Sequence, residues 1–107
     1  MAGMTIDEQL AILKALSNDT RLRILAWLKD PKRQFGYQEV GDFDVDGVCV
    51  SVIQKKAGLS QSTVSAYLAL LTRVRLVKVK RVGQWTYYRR NEDTIRRFVQ
   101  DVGTTLQ

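Results

Sequence analysis

The sequence contains no histidine, one cysteine (Cys49) and one proline (Pro31). Without histidine, the usual neutral-pH acid–base group and the commonest metal ligand are both missing. A single thiol forms no intramolecular disulfide, which fits the reducing cytoplasm, the compartment expected for this chain. No apolar run approaches the roughly 18 residues that a membrane span requires. The first eight residues show no basic stretch followed by an apolar one, so no secretory signal is expected. There is no Gly-rich phosphate loop and no Cys–base pair, so nothing resembles a catalytic constellation. Neither an enzyme nor a metal or cofactor site is expected.

What is present amounts to one small domain: 107 residues, 45% hydrophobic and 26% charged, a globular composition. The 17 Lys and Arg outweigh 11 Asp and Glu, for a net charge of +6. The asymmetry is sharper than that total. Between Gly47 and Asn91 lie nine cations, among them Lys55, Lys56, Arg73, Arg75, Lys80 and Arg81, and no acid at all. The remaining residues sum to −3. An acid-free stretch gives up the mixed-sign pairing of ordinary surfaces, so a polyanion is the expected partner, nucleic acid first.

Thr5 and Glu8 have capping-box spacing, and Ile6, Leu10 and Leu13 recur at helical period, predicting a first helix to about Leu16. The cap cluster Ser17 to Thr20 opens a second helix carrying Leu22, Ile24, Leu25 and Leu28. Asp19 and Arg23 lie four apart on it, with Arg21 and Arg23 placed to bridge helices. The Asp30-Pro31 step closes this helix. Residues 31–47 are expected to be an irregular loop, long for so small a domain. Its four acids either hold it off a phosphate backbone or pair with the basic stretch.

A third helix is predicted over Cys49 to Ala57, ended by Gly58, with Ser60 as N-cap of a fourth. In that fourth helix Val64, Leu68 and Leu71 form one narrow stripe, while Ser62, Ser65, Ala66 and Ala69 fall opposite. Helix, Gly, helix with a small polar outer face is the helix-turn-helix pattern, here residues 51–71. Alternation over Val77 to Val82 and Trp85 to Arg89, around Gly83-Gln84, predicts a hairpin with a type II′ turn. Pairing Val82 with Trp85 puts Val77, Val79, Thr86 and Tyr88 on a core face. Lys78, Lys80, Tyr87 and Arg89 fall on a cationic face. Asn91 caps a last helix carrying Ile95, Phe98, Val99, Val102 and Leu106. The class is mostly α with a small β-hairpin, in the order α-α-α-α-β-β-α.

Three stretches in this order resemble the ArsR/SmtB family of winged helix-turn-helix repressors, over roughly Leu10 to Phe98. Leu13 to Leu25 is similar to the family's LSDPTRLRIL signature, Gly58 to Ser65 to its recognition-helix start, and Gly83 to Tyr88 to its wing. The resemblance implies a homodimer formed by first and last helices (residues 4–16 and 93–106), with residues 77–90 as the wing. It also implies repression by binding double-stranded DNA at a palindromic operator. Two departures stand out. Many relatives sense metals through a Cys-x-Cys pair, and Ser51 stands where the second thiol would follow Cys49; no metal sensing is therefore expected. Arg75 replaces the usual Gly after the recognition helix, at a cost of about 1 kcal/mol if the backbone there is left-handed.

The candidate recognition residues are Gln61, Ser62, Thr63, Ser65 and Tyr67. Gln bonds adenine bidentately, and hydroxyls bond base edges or phosphates. The bland reading for Ser62 and Thr63 is that they merely favour a helix start. Tyr67 is either core or a phosphate donor. Lys80, Arg81 and Gln84 on the wing, with Lys55 and Lys56 before the turn, are candidate backbone contacts; their alternative is an ordinary solvated surface. Cys49 is either a small buried hydrophobe or a redox-responsive thiol. A basic module docking an acidic protein is the competing function.

Overall fold

In the computed structural model, which describes residues 2–107, the order is α1 (Ile6–Leu16), α2 (Asp19–Trp27), α3 (Pro31–Phe35), β1 (Val48–Cys49), α4 (Val50–Ala57), α5 (Gln61–Arg73), β2 (Val77–Val82), β3 (Trp85–Arg90) and α6 (Glu92–Leu106). The capping box at Thr5 and Glu8 is formed in both directions. Asn18 caps α2 through Arg21 N–H and Asn91 caps α6. Each of these caps offsets a backbone donor that the first turn leaves unpaired.

Two expectations need correction. Residues 31–47 are not irregular throughout, because Pro31 opens α3 at its first position, where its fixed φ and missing N–H suit a helix start. Nor does the third predicted helix begin at Cys49. Val48 and Cys49 form a short strand that pairs with Tyr88 and Tyr87, giving a three-stranded antiparallel sheet in the order β1-β3-β2.

The core is one cluster, with Ile24, Ile53, Val64, Leu68 and Leu71 from α2, α4 and α5 meeting Val48, Leu76 and Val77 at the sheet. Periodicity dictates this: the predicted stripe of α5 is the set of its buried residues. The hairpin register is the expected one, with Val82 opposite Trp85 and Val79 opposite Tyr88. Its division into a core face and a cationic face holds only partly. Val79 is 43% exposed, whereas Tyr87, on the face shared with Lys78 and Lys80, is 2% exposed. The cause is the connection from Gly36 to Gly47, which lies over that face. A Cβ at Gly41 would stand 2.5 Å from the Tyr87 ring. Gln38, itself buried, ties the connection down by donating to Gly47 O at 2.9 Å and accepting from Cys49 N–H at 3.0 Å.

Candidate nucleic-acid interface

Between α4 and α5 the chain turns at Gly58, which takes φ +69°, a region open to glycine without strain. Gln54 fixes the turn by donating to Leu59 O at 2.9 Å. Ser60 then caps α5, accepting Thr63 N–H at 3.2 Å and donating to Thr63 Oγ1 at 2.8 Å, with Ser62 Oγ 3.2 Å away. The hydroxyls of Ser62 and Thr63 are thus gathered around the cap. Gln61 and Ser65 have no side-chain hydrogen bond among the described residues, and Gln61, Ser62, Ala66 and Ala69 are exposed. The outer side of α5 is therefore small, uncharged and open, with unsatisfied polar groups at its N-terminal end.

Tyr67 belongs to neither of its two expected settings entirely. Its ring lies 5.2 Å from the Arg21 guanidinium, whose Nε donates to Ala15 O at 2.6 Å. Arg21 thereby ties the end of α1 to α5, the bridging expected of it, while Arg23 forms no ion pair among the described residues.

The basic residues divide into engaged and open sets. Arg90 grips Glu92 through two nitrogens and donates to Leu25 O at 3.2 Å, so it serves the fold. Lys80 pairs with Asp46 at 2.7 Å. The connection's acids do meet the basic stretch, one of the two alternatives left by the sequence. Lys80 and the neighbouring backbone N–H of Asp42 hold the Asp46 carboxyl below its ordinary value. Lys56 stands over the Trp27 and Phe35 rings at 5.1 and 6.0 Å, beside the Gly36–Gly47 connection. Lys55, Lys56 and the buried Cys49 line one cleft between α4 and that connection, so the structure groups both lysines there. Arg81 and Gln84 are exposed at the wing tip. Arg73, Arg75, Lys78 and Arg89 are exposed too and make no ion pair among the described residues, although sequence reasoning did not single them out as contacts. Their signal was the missing acids of residues 47–91.

Cys49 is buried and its Sγ lies 3.3 Å from Ser51 Oγ. Among the described residues no group of three or more His, Cys, Asp or Glu is placed to hold a metal ion, and no helix is long and apolar enough to cross a membrane.

A helix-turn-helix followed by a β-wing, with an open polar helix face beside unpaired cations, defines a winged helix-turn-helix DNA-binding domain. No family model matches the chain. It is 44% identical, over 92% of its length and 99% of the relative's, to the uncharacterized HTH-type transcriptional regulator YbzH of Bacillus subtilis. It is 35% identical, over 79% of its length and 60% of the relative's, to a putative arsenical resistance operon repressor of Halobacterium salinarum. Among solved structures, the homodimeric winged helix-turn-helix DNA-binding domain of a possible ArsR-family regulator from Mycobacterium bovis superposes with a TM-score of 0.64 at 32% identity, covering 97% of this chain and 91% of that one. The chain belongs to the ArsR-type family of winged helix-turn-helix transcriptional regulators.

Proposed function

We propose that the protein is a dimeric, cytoplasmic, non-enzymatic repressor that occludes a palindromic operator without sensing metal. The observation that carries the reading is the N-terminal half of α5. Gln61 is exposed and Ser65 half-buried, both without a side-chain hydrogen bond among the described residues, on a helix that is otherwise small-residued on that side and flanked by unpaired arginines at its end and on the wing. A helix of this kind enters a major groove about 12 Å wide, where Gln61 reads a base edge and Ser65 a base or phosphate. Ser62, Thr63 and Tyr67 border it, and Arg81, Gln84, Lys80, Lys55 and Lys56 supply backbone contacts of decreasing directness. Support for the absence of metal sensing is the donor set: one thiol, bonded to Ser51 Oγ.

Each chain offers a single α5, and a palindrome presents two major-groove faces about 34–36 Å apart, so two copies are required. The exposed apolar stripes of α1 and α6 supply the joining surface. Selection from random duplex DNA at physiological salt tests the reading, and an inverted repeat is the expected product. Gln61→Ala then costs about 1–3 kcal/mol on the selected site and nothing on random duplex. Arg81→Ala weakens both alike and lowers the salt slope by about 0.9. Recovery of no preferred sequence, with a salt-insensitive complex to an acidic protein instead, favours the interaction-module alternative.

A further inference from the structure

A cleft of about 560 Å³ opens beside the wing, bounded by α3, the Gly36–Gly47 connection, α4 and the first residue of β3. That volume lies within the range of small-molecule sites, roughly 300–1,000 Å³. Its aromatic walls are Phe35, Tyr37 and Trp85, which come from three different segments. Lys55 and Lys56 stand at its rim, and Glu39 is the one acid among the lining residues. Lys56 is oriented by the rings beneath its ammonium, and Lys55 has no ion-pair partner among the described residues. Aromatic walls with two lysines that form no ion pair among the described residues, against the single acid Glu39, complement a planar aromatic anion, ring inward and carboxylate outward.

We propose that this cleft is an effector site for a small aromatic carboxylate whose occupancy is read at the wing. The mechanical link is short. Trp85 is both a wall of the cleft and the residue following the Gly83-Gln84 turn, opposite Val82 at the wing tip. The opposing wall, the Gly36–Gly47 connection, is fixed to the wing by Gly41 against Tyr87 and by Asp46 on Lys80. A ring held against both Tyr37 and Trp85 ties the connection to the start of β3, and both of these walls are joined to the hairpin that carries Arg81. The binding half stands alone; the coupling half rests on the proposal that the wing contacts DNA.

The probe is 2-naphthoate, with the neutral 2-naphthylmethanol as its uncharged counterpart, titrated into the full chain without DNA and followed by amide NMR shifts. Expected are shifts confined to the cleft and the hairpin joined to it, residues 34–47, 49–56 and 80–87, and binding at least about tenfold tighter for the carboxylate than for the alcohol. Lys55→Gln combined with Lys56→Gln erases that preference. Tyr37→Ala, at a 75% exposed position where folding is not at stake, weakens both ligands. Equal affinity for the two ligands, or shifts scattered beyond the cleft and that hairpin, overturns the site. In a second arm 2-naphthoate lowers the affinity of the wild type for its selected duplex at least about threefold, but not that of Tyr37→Ala. Naphthoate binding with unchanged duplex affinity overturns the coupling. Failure to bind any duplex before the probe is added overturns the DNA reading and the coupling with it, while the cleft stands on the first arm.

Discussion

Arg75 holds the turn after α5 at φ 64°, the one non-glycine residue among those described with a positive φ. The surrounding hydrogen bonds explain why the conformation persists. Leu76 N–H reaches Leu71 O at 3.0 Å and Arg75 N–H reaches Thr72 O at 2.9 Å, the paired bonds of a Schellman ending, with buried Leu76 packed back on the helix. The helix end is thus over-determined, and the strain at Arg75 is carried by its neighbours. Arg75→Gly relieves that strain and is expected to raise stability by about 0.5–1 kcal/mol, seen as a higher urea midpoint at unchanged slope. The same variant removes an exposed cation beside α5, so it weakens duplex binding while strengthening the fold. The opposite signs separate it from a simple destabilising change. At this scale the sequence was informative, because the mismatch of Arg with a glycine position names both the backbone conformation and the residue bearing its cost. That acids of residues 31–47 could meet the basic stretch was legible, but not which: the pairing of Lys80 with Asp46 and the bond from Arg90 to Leu25 O span 34 and 65 residues.

The element least legible in the sequence is the connection between α3 and β1. Pro31 signals both a helix end and a helix start, and only the packing of Phe35 against Trp27 and Phe43 selects the second. A two-residue strand has no periodicity to detect; Val48 and Cys49 are fixed by their partners on β3. Gly47 shows how tightly. Its φ is +101°, and a Cβ there would fall 2.6 Å from Tyr88 O. By contrast the long periodic helices and the hairpin register were readable, since burial follows their repeat. The connection's grip on the wing passes through Asp46, and it is pH-dependent with a definite sign. The folded carboxyl is depressed below the ordinary 3.8, so its stabilising contribution is complete above that value and is lost as pH falls through the lowered one. The protection factors of amides in residues 41–47, measured against the intrinsic exchange rate at each pH, therefore fall on acidification into that range, whereas in Asp46→Asn they are low already at neutral pH. The Asn variant also frees Lys80 for phosphate, raising the salt slope of duplex binding by about 0.9. A slope unchanged from wild type would place Lys80 off the DNA.

For the whole molecule, the decisive feature is what α1 and α6 leave uncovered. Ile6, Leu10 and Leu13 follow one stripe of α1 and are 41–55% exposed, while Val99 and Leu106 on α6 are 62% and 80% exposed. These are too many large apolar groups, too regularly spaced, for a solvated surface. Polar ties hold the two helices together as one face: Asp101 accepts Met4 N–H at 2.7 Å, and Thr105 donates to buried Gln9 at 2.8 Å. Those ties leave the stripes free to meet a second copy. In a two-fold interface every substitution acts twice. Leu10 is 43% exposed, so Leu10→Glu removes about 0.6–1.3 kcal/mol of apolar burial per copy, or roughly 1.3–2.6 kcal/mol per dimer, which is one to two decades in dissociation constant. Sedimentation should show this variant as a monomer at concentrations where the proposed wild-type dimer forms. Its α5 and wing are untouched, so it still binds a single half-site. On the full inverted repeat it loses the second site and about half the salt slope together. A Leu10→Glu chain that stays dimeric would move the interface away from these helices, and the two recognition helices with it.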